Sequence, residues 1–391
     1  MSKWKPLLDC VNISGYATPY FEDTKYYVST GALNVNIIDY SAIEEVTYQN
    51  KPSRANLSVD EGTILFAKMK ETHKTLLVTD IEKQYIFSTG FYALKPKDNL
   101  IDLKYLFTII NSEHFLKQKD KYCTGATQKA LNNEGLRKIQ IPLPPLDEQK
   151  KIANELDKIT SLIEKRKAQI EKLDLLIKSK FVEMFGDPVT NPMGWDVQKI
   201  FNALCVQPQN GLYKPASDYV DDNSETAILR IDAFYNGKVT DYTRLKRLKC
   251  TEKEIEKYCL AENDIVINRV NSLEYLGKCA HIVNLHEQVV FESNMMRMHF
   301  NENKYNAIYV THLLCTEFIY EQIVSHAKKA VNQASINQKD VQDFDIYCPP
   351  LKLQNQFADY VQRVETTKTA MQQSLEKLEI LKKARMQFYF E

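Results

Sequence analysis

Two stretches of the chain carry apolar side chains at alternating spacings of four and three residues, and the regions between them do not. In the first stretch the apolar positions are Ile152, Leu156, Ile159, Ile163, Ile170, Leu173 and Ile177; in the second they are Phe357, Val361, Val364, Met371, Leu375 and Leu378. This is a heptad seam, and it predicts two long helices. Pro144-Pro145 fixes an extended entry into the first, Asp147 and Glu148 suit the positive end of a helix, and Gly186-Asp187-Pro188 is a stop signal. A helix over 148–184 is a rod of roughly 55 Å at about 1.5 Å per residue. Two such rods in one chain most simply pack against each other. Each seam has one break. Arg166 interrupts the first where the second has Met371, and Lys368 interrupts the second where the first has Ile163. A partner helix could cover either break.

The regions 1–145 and 190–350 read differently. Short β-branched and aromatic runs predict strands at 25–29, 62–67, 76–79 and 92–94, and again at 227–231, 264–268, 280–283 and 295–299. Asn236-Gly237 is a hairpin turn signal, and the stretches 105–113 and 309–317 have helical periodicity. The fold class is therefore α+β, with two globular α/β regions alternating with two long helices.

Sliding the chain against itself by 205 positions shows why the two halves read alike. Residues 128–185 then lie on 333–390 without a gap: Gln128 meets Gln333, Asn132 meets Asn337, Pro144-Pro145-Leu146 meets Pro349-Pro350-Leu351, Gln149 meets Gln354, and Phe185 meets Phe390. Upstream the match is weaker, but VDEGTILFAK at 59–68 parallels LAENDIVINR at 260–269, each a turn entering an apolar strand that ends in a cation. Trp4 and Trp195 open the two copies. The chain is thus an internal duplication. It divides into globule 1–146, helix 147–186, globule 187–350 and helix 351–391.

Composition narrows the function classes. The 51 basic and 51 acidic residues balance, which leaves room for a local basic face but gives no bulk attraction to polyanions. Eight scattered cysteines form no CxxC pair, and no Cys/His cluster has zinc spacing. The opening MSKWKPLLDC does not read as a signal peptide, and the sequence has no apolar run of membrane-spanning length and no phosphate-binding GxxxxGK[ST] loop. A reduced, cytoplasmic, non-membrane protein without a catalytic constellation is the expectation.

What remains are polar, cationic loops with interleaved aromatics. Lys68, Lys70, His73 and Lys74 form one; Arg244, Lys246, Arg247 and Lys249 form another; Arg269, Asn271 and Lys278 form a third. The segments before each long helix add Lys121, Tyr122, Thr124, Thr127, Gln128 and Lys129 in the first copy, and Lys328, Lys329, Asn332, Gln333 and Ser335 in the second. Lysines, amides and hydroxyls in such runs suit phosphate contact and base-edge hydrogen bonding, and these residues are the candidate DNA contacts.

Three motifs carry a family resemblance: IPLPPLDEQKKI at 141–152, FVEMFGDP at 181–188 and NPMGW at 191–195. Together with the duplication, which spans essentially the whole chain, they resemble the specificity subunits of type I restriction–modification systems. The second copy departs from the pattern, with Lys352-Leu353 in place of the acidic pair before the glutamine and Cys348 in place of Leu143. The resemblance implies that each globule is a target recognition domain reading one half of a bipartite double-stranded DNA sequence. It implies that the helices pair as an antiparallel, pseudo-two-fold spacer that docks two methyltransferase subunits. Restriction subunits would join that core. S-adenosylmethionine would be bound by the methyltransferases, and ATP and magnesium by the restriction motor, with no cofactor or metal on this chain.

Overall fold

The computed structural model describes residues 3–222, 224–331 and 333–391. The chain forms two compact units, one of residues 1–168 with 372–391 and the other of residues 169–371. Each takes in part of both long helices, Leu146–Phe185 and Leu351–Phe390, which are 40 residues each.

In the first unit an antiparallel sheet runs in the order Val11–Ile13, Phe91–Pro96, Ile64–Ala67, Thr75–Leu77. A second sheet has the order Glu44–Val46, Lys25–Val28, Ile86–Ser88, Ala55–Leu57, with its central pair parallel. The strand Ile64–Ala67 is buried along its whole length. Successive strand side chains point to opposite faces, and here both faces are covered. Ile64 and Phe66 enter a core with Tyr105, Leu106 and Ile109 of the helix Leu103–Ile110 and with Phe115 of the helix Glu113–Lys121. Leu65 and Ala67 enter the core shared with Val28 and Phe87 of the second sheet.

The second unit repeats this scheme. A six-stranded sheet has the order Leu204–Asn210, Met295–Phe300, Ile265–Asn268, Cys279–His281, Gly237–Val239, Phe234–Tyr235, and a four-stranded sheet has the order Tyr219–Val220, Lys246–Leu248, Thr226–Leu229, Val289–Phe291. Ile265 and Ile267 face a core with Tyr309, Leu313 and Ile319, while Val266 faces Leu229 and Phe291. The Asn236-Gly237 turn forms as expected, with both residues at positive φ, 50° and 81°.

Each unit also pairs its opening strand with the strand that feeds a long helix. Lys3–Pro6 lies antiparallel to Gln140–Leu143 in the first unit, and Val197–Lys199 lies antiparallel to Asp345–Tyr347 in the second.

The start of each long helix is held by a buried glutamine. Gln149 is 0% exposed, and its Oε1 accepts the Asp102 N–H at 2.8 Å while Nε2 donates to the carbonyls of Leu100 at 3.1 Å and Pro144 at 2.8 Å. Gln354, also 0% exposed, accepts from the Asn306 N–H at 2.9 Å and donates to Lys304 O at 2.9 Å and Pro349 O at 2.7 Å. Asp102 and Asn306 are themselves N-caps of the helices Leu103–Ile110 and Ala307–Leu314. One amide therefore locks the elbow to the next helix in each copy, with every strong donor and acceptor matched.

The seam closes within each unit, and the helices run antiparallel in both. In the first, Glu155 meets Arg385 at 3.0 Å and accepts from the Tyr389 hydroxyl at 2.7 Å, and Lys167 meets Glu379 at 2.9 Å, so partner numbers fall along one helix as they rise along the other. Phe390 is 1% exposed and packs against Tyr105, ring centroids 5.8 Å apart. In the second unit Phe185 takes the same place against Tyr309 at 4.7 Å, with Phe357 at 5.5 Å. The seam break at Lys368 is covered by Asp174, whose carboxylate accepts its ammonium at 2.5 Å. The first helix ends as its stop signal predicts. Gly186 has φ 78° and donates its N–H to Val182 O at 2.9 Å. A Cβ there would lie 2.6 Å from Pro192 Cγ, so glycine is required on both counts. Trp195 then donates Nε1 to the Phe185 carbonyl at 2.7 Å, satisfying an acceptor left open by the helix end.

Replacing Gln149 by leucine keeps the volume but leaves one N–H and two carbonyls unpaired, at a cost of about 3 kcal/mol or more. Hydrogen exchange should show faster opening of Leu103–Ile110 with little change in Ala307–Leu314; the reverse order, or equal opening of both, contradicts the assignment. Phe390→Ala should destabilise the same unit by about 3–5 kcal/mol through the cavity it leaves, read as loss of exchange protection around Tyr105 that Phe390→Leu largely restores.

Candidate nucleic-acid interface

The strand Ile64–Ala67 does not stop at its last core residue. The chain continues through Lys68 and Met69 and is caught by the segment before the first long helix: Leu131 N–H donates to Lys68 O at 2.8 Å, Lys70 N–H donates to Lys129 O at 2.9 Å, and Met69 bridges Ala130. That segment is a hairpin, Cys123–Thr124 against Ala130–Leu131. Two loops that look separate in the sequence are thus one connected ribbon. Lys121, Thr124, Thr127, Gln128 and Lys129 are exposed on it, and Tyr122 and Lys70 are half-buried.

The second unit builds the same ribbon. Ile265–Asn268 continues into Val270–Asn271, which pairs with Ala334–Ser335, which pairs in turn with Lys328–Lys329. Ile336 N–H donates to Arg269 O at 3.0 Å, matching the hydrogen bond from Leu131 to Lys68. Lys328, Lys329 and Gln333 are exposed here, and Asn271 and Ser335 are half-buried. Asn332 lies outside the described residues.

The strand-ending cations occupy equivalent places and have partly internal work. Lys68 donates to Thr89 O at 2.8 Å and lies over the Tyr92 ring at 4.6 Å, and its burial lowers its pKa. Arg269 donates to Ser293 O at 2.9 Å. Both stand at the root of the ribbon, not at its tip. Lys70 pairs with Glu71 at 3.2 Å, and Lys74 donates to Thr30 O at 2.7 Å.

Arg244, Lys246 and Arg247 are not brought to the ribbon; Lys246 and Arg247 belong to the strand Lys246–Leu248 of the four-stranded sheet, and Arg244 to the turn before it. Arg244 and Lys246 are exposed, but Arg247 is only 9% exposed and both its terminal nitrogens bind Glu287, at 2.5 and 2.9 Å. That bidentate pair engages its terminal nitrogens and braces the sheet.

One residue that matters to the ribbon is hidden in the sequence. Lys119 is 1% exposed, and its ammonium donates to Met69 O at 2.8 Å and Thr72 O at 2.6 Å, with the Asp120 carboxylate 3.4 Å away. Asp120 also accepts from the Glu71 N–H at 3.0 Å. A buried cation thus shapes the loop that carries Lys70 and Lys74. Burial lowers the Lys119 pKa, and Asp120 partly restores it. One signal points to it: Phe115 and Lys119 are four apart on one face of the helix Glu113–Lys121. Lys278 is similarly enclosed, donating to Ile231 O at 2.8 Å and lying 3.7 Å from the Tyr235 ring centroid. Among the described residues no group of His, Cys, Asp and Glu could hold a metal ion, and no helix is long and apolar enough to cross a membrane.

Comparison with known proteins agrees with this architecture. The family model described as the type I restriction modification DNA specificity domain matches residues 2–172 and 204–380. The chain is 26% identical over 315 residues to the specificity subunit of the type I restriction enzyme EcoKI from Escherichia coli K12, covering 76% of this chain and 66% of that one. It is 25% identical over 285 residues to the StySPI specificity subunit of Salmonella potsdam, covering 70% and 60%. These matches take in less than two thirds of either relative's length. A solved chain of a type I restriction–modification system superposes with a TM-score of 0.63 at 20% identity, covering 98% of this chain and 96% of that one. With the family model matched over both halves of the duplication, the chain belongs to the type I restriction–modification DNA specificity family.

Proposed function

We propose that the chain is the DNA-recognition subunit of a type I restriction–modification complex and performs no chemistry itself. The globules, residues 1–146 and 187–350, each read one half of a split double-stranded target. The helical regions, 147–186 and 351–391, set the gap between half-sites and dock two methyltransferase subunits. The observation that carries this reading is the duplicated ribbon: in each unit the same core strand is extended into the same kind of hairpin, and the exposed side chains on it differ. A common frame with variable lysines, amides and hydroxyls is what two readers of different base sequences need. Lys68, Lys70, Lys74, Lys121, Tyr122, Thr124, Thr127, Gln128 and Lys129 serve the first half-site in this proposal. Arg269, Asn271, Lys328, Lys329, Asn332, Gln333 and Ser335 serve the second, with Arg244 and Lys246 as outlying phosphate contacts.

Partner docking is supported by the long helices. Leu162, Leu175, Leu176, Ile380, Leu381 and Phe388 are exposed apolar residues on them, 43–75% accessible, more than two solvated helices require. In this proposal S-adenosylmethionine belongs to the methyltransferase partners, and ATP and magnesium to restriction subunits that join the same core. The complex works in the cytoplasm, where its DNA is.

Two variants test the reading in complex with the methyltransferase partner. Lys328→Ala with Lys329→Ala should weaken binding to all sequences alike and reduce the salt slope of log affinity by about two, one for each phosphate left without its lysine. Gln128→Ala should cost about 1–3 kcal/mol at one half-site and relax base preference there, while the other half-site stays intact. Maps of methylated adenine read the second result directly. An unchanged salt slope together with an unchanged methylation map would refute the placement of DNA on the ribbons.

A further inference from the structure

The second unit holds an open cavity of about 1180 Å³ whose wall includes Lys178, Gly237, Lys238, Thr311, His312 and Cys315. Cys315 is the C-cap residue of the helix Ala307–Leu314, and its side chain is exposed to the cavity. Directly behind it lies Cys279, the first residue of the strand Cys279–His281, which is 1% exposed. The two sulfurs are 3.6 Å apart. Gly237 lines the same cavity, and a Cβ there would come within 2.9 Å of Thr311 Cγ2.

The two thiols are unequal. Hydrogen bonding with Cys279 and the positive potential of the Lys178 ammonium hold Cys315 below the ordinary thiol value, against the opposing effect of desolvation. Cys279 is pushed well above that value by the same hydrogen bond and by burial. Burial also raises Cys10, Cys123 and Cys250. A cysteine that opens onto a cavity also lined by a lysine, backed by a second thiol 3.6 Å away, is the arrangement of a redox-active pair.

We propose that Cys315 and Cys279 form a reactive dithiol, with Cys315 attacking peroxides and other soft electrophiles that enter the cavity and Cys279 resolving the product. With hydrogen peroxide, the Cys315 thiolate forms an S–O bond as the O–O bond breaks, and the departing hydroxide takes up a proton to become water. The Cys279 sulfur then attacks the sulfenic acid: an S–S bond forms, the S–O bond breaks, and the leaving hydroxide accepts the proton that Cys279 gives up. Two thiols and one peroxide become one disulfide and two waters, with two electrons passed from sulfur to oxygen. Bond formation needs the sulfurs to approach to about 2.05 Å, a swing that the end of a helix permits better than its middle. The disulfide ties that helix end to the strand in which Cys279 sits opposite Ile267, two residues before Arg269. Oxidation therefore fastens the root of the second ribbon.

The test uses the full chain. Without oxidant, iodoacetamide should alkylate Cys315 at least about tenfold faster than Cys205, an exposed cysteine whose sulfur lies against the His299 carbonyl. With limiting hydrogen peroxide, followed by thiol blocking and peptide mass mapping, the first linked pair should be Cys279 with Cys315, and dithiothreitol should release it. In Cys279→Ser the Cys315 sulfenic acid should accumulate and be trapped by a cyclic dione, and in Cys315→Ser the residue Cys279 should stay a thiol. Alkylation of Cys315 no faster than Cys205, or earlier linkage of any other pair, overturns the proposal. The wild-type alkylation rates decide the matter even where a serine variant does not fold.

Discussion

Everything distal in each unit hangs on a side-chain amide with no access to water. Gln149 and Gln354 each join three backbone groups that otherwise face an apolar interior. An unmet buried donor or acceptor costs about 1–3 kcal/mol, so elbow, N-cap and helix start can be rearranged only together. That fixes the direction in which each long helix leaves its globule. The helix direction sets the seam, and the seam sets which aromatic residue closes each core, Phe390 on Tyr105 and Phe185 on Tyr309. The repeat keeps the glutamine although it changes the residues before it from Asp147-Glu148 to Lys352-Leu353. The dipole preference of a helix start, about 0.3–1 kcal/mol per charge, is expendable; the three hydrogen bonds are not.

Regular elements were legible because their signals are local. The heptad spacing marked the buried positions Ile152, Leu156, Ile159, Phe357 and Val361, and the helix ended at Gly186 as its sequence indicates. The expected strand at 264–268 forms as Ile265–Asn268, and that at 295–299 as Met295–Phe300. Illegible features were those made by distant partners. The pairing of Lys3–Pro6 with Gln140–Leu143 joins segments with no shared pattern. Gln149 stood out only as a repeated letter, because glutamine is ordinarily a surface residue and its three partners lie in other segments. Arg247 reads as a free cation until Glu287 is folded against it, 40 residues away. Charge in a loop states what a side chain can do, whereas its partners decide whether it is free to do it.

The two ribbons share one backbone frame and present different side chains on it. Backbone hydrogen bonds set the strand extension and the hairpin, and these need no particular side chain. The outward positions are therefore free to differ, and the duplication is accordingly strongest in the helices and elbows and weakest in the globules. The frame is still not indifferent to every side chain. Lys119 holds the first loop through two carbonyls, and in the second unit Lys278 sits in an aromatic enclosure against Ile231 O. Each copy thus stiffens its loops with a cation of its own.

The partnership of Glu155 with Tyr389 spans 234 positions in sequence. On the ribosome this separation becomes time. At roughly 5–20 residues per second, on the order of ten seconds or more pass between synthesis of the first helix and arrival of the segment that covers its seam. Throughout that interval Tyr105 and Ile152 lack the aromatic lid that Phe390 later supplies, while the second globule is still being made. The nascent chain therefore carries an unfinished apolar seam that invites a helix from any neighbour able to supply one. A chaperone, a docked subunit or the seam of another nascent copy could occupy it first. How fast the second half is translated thus bears on whether the first half is completed from within its own chain.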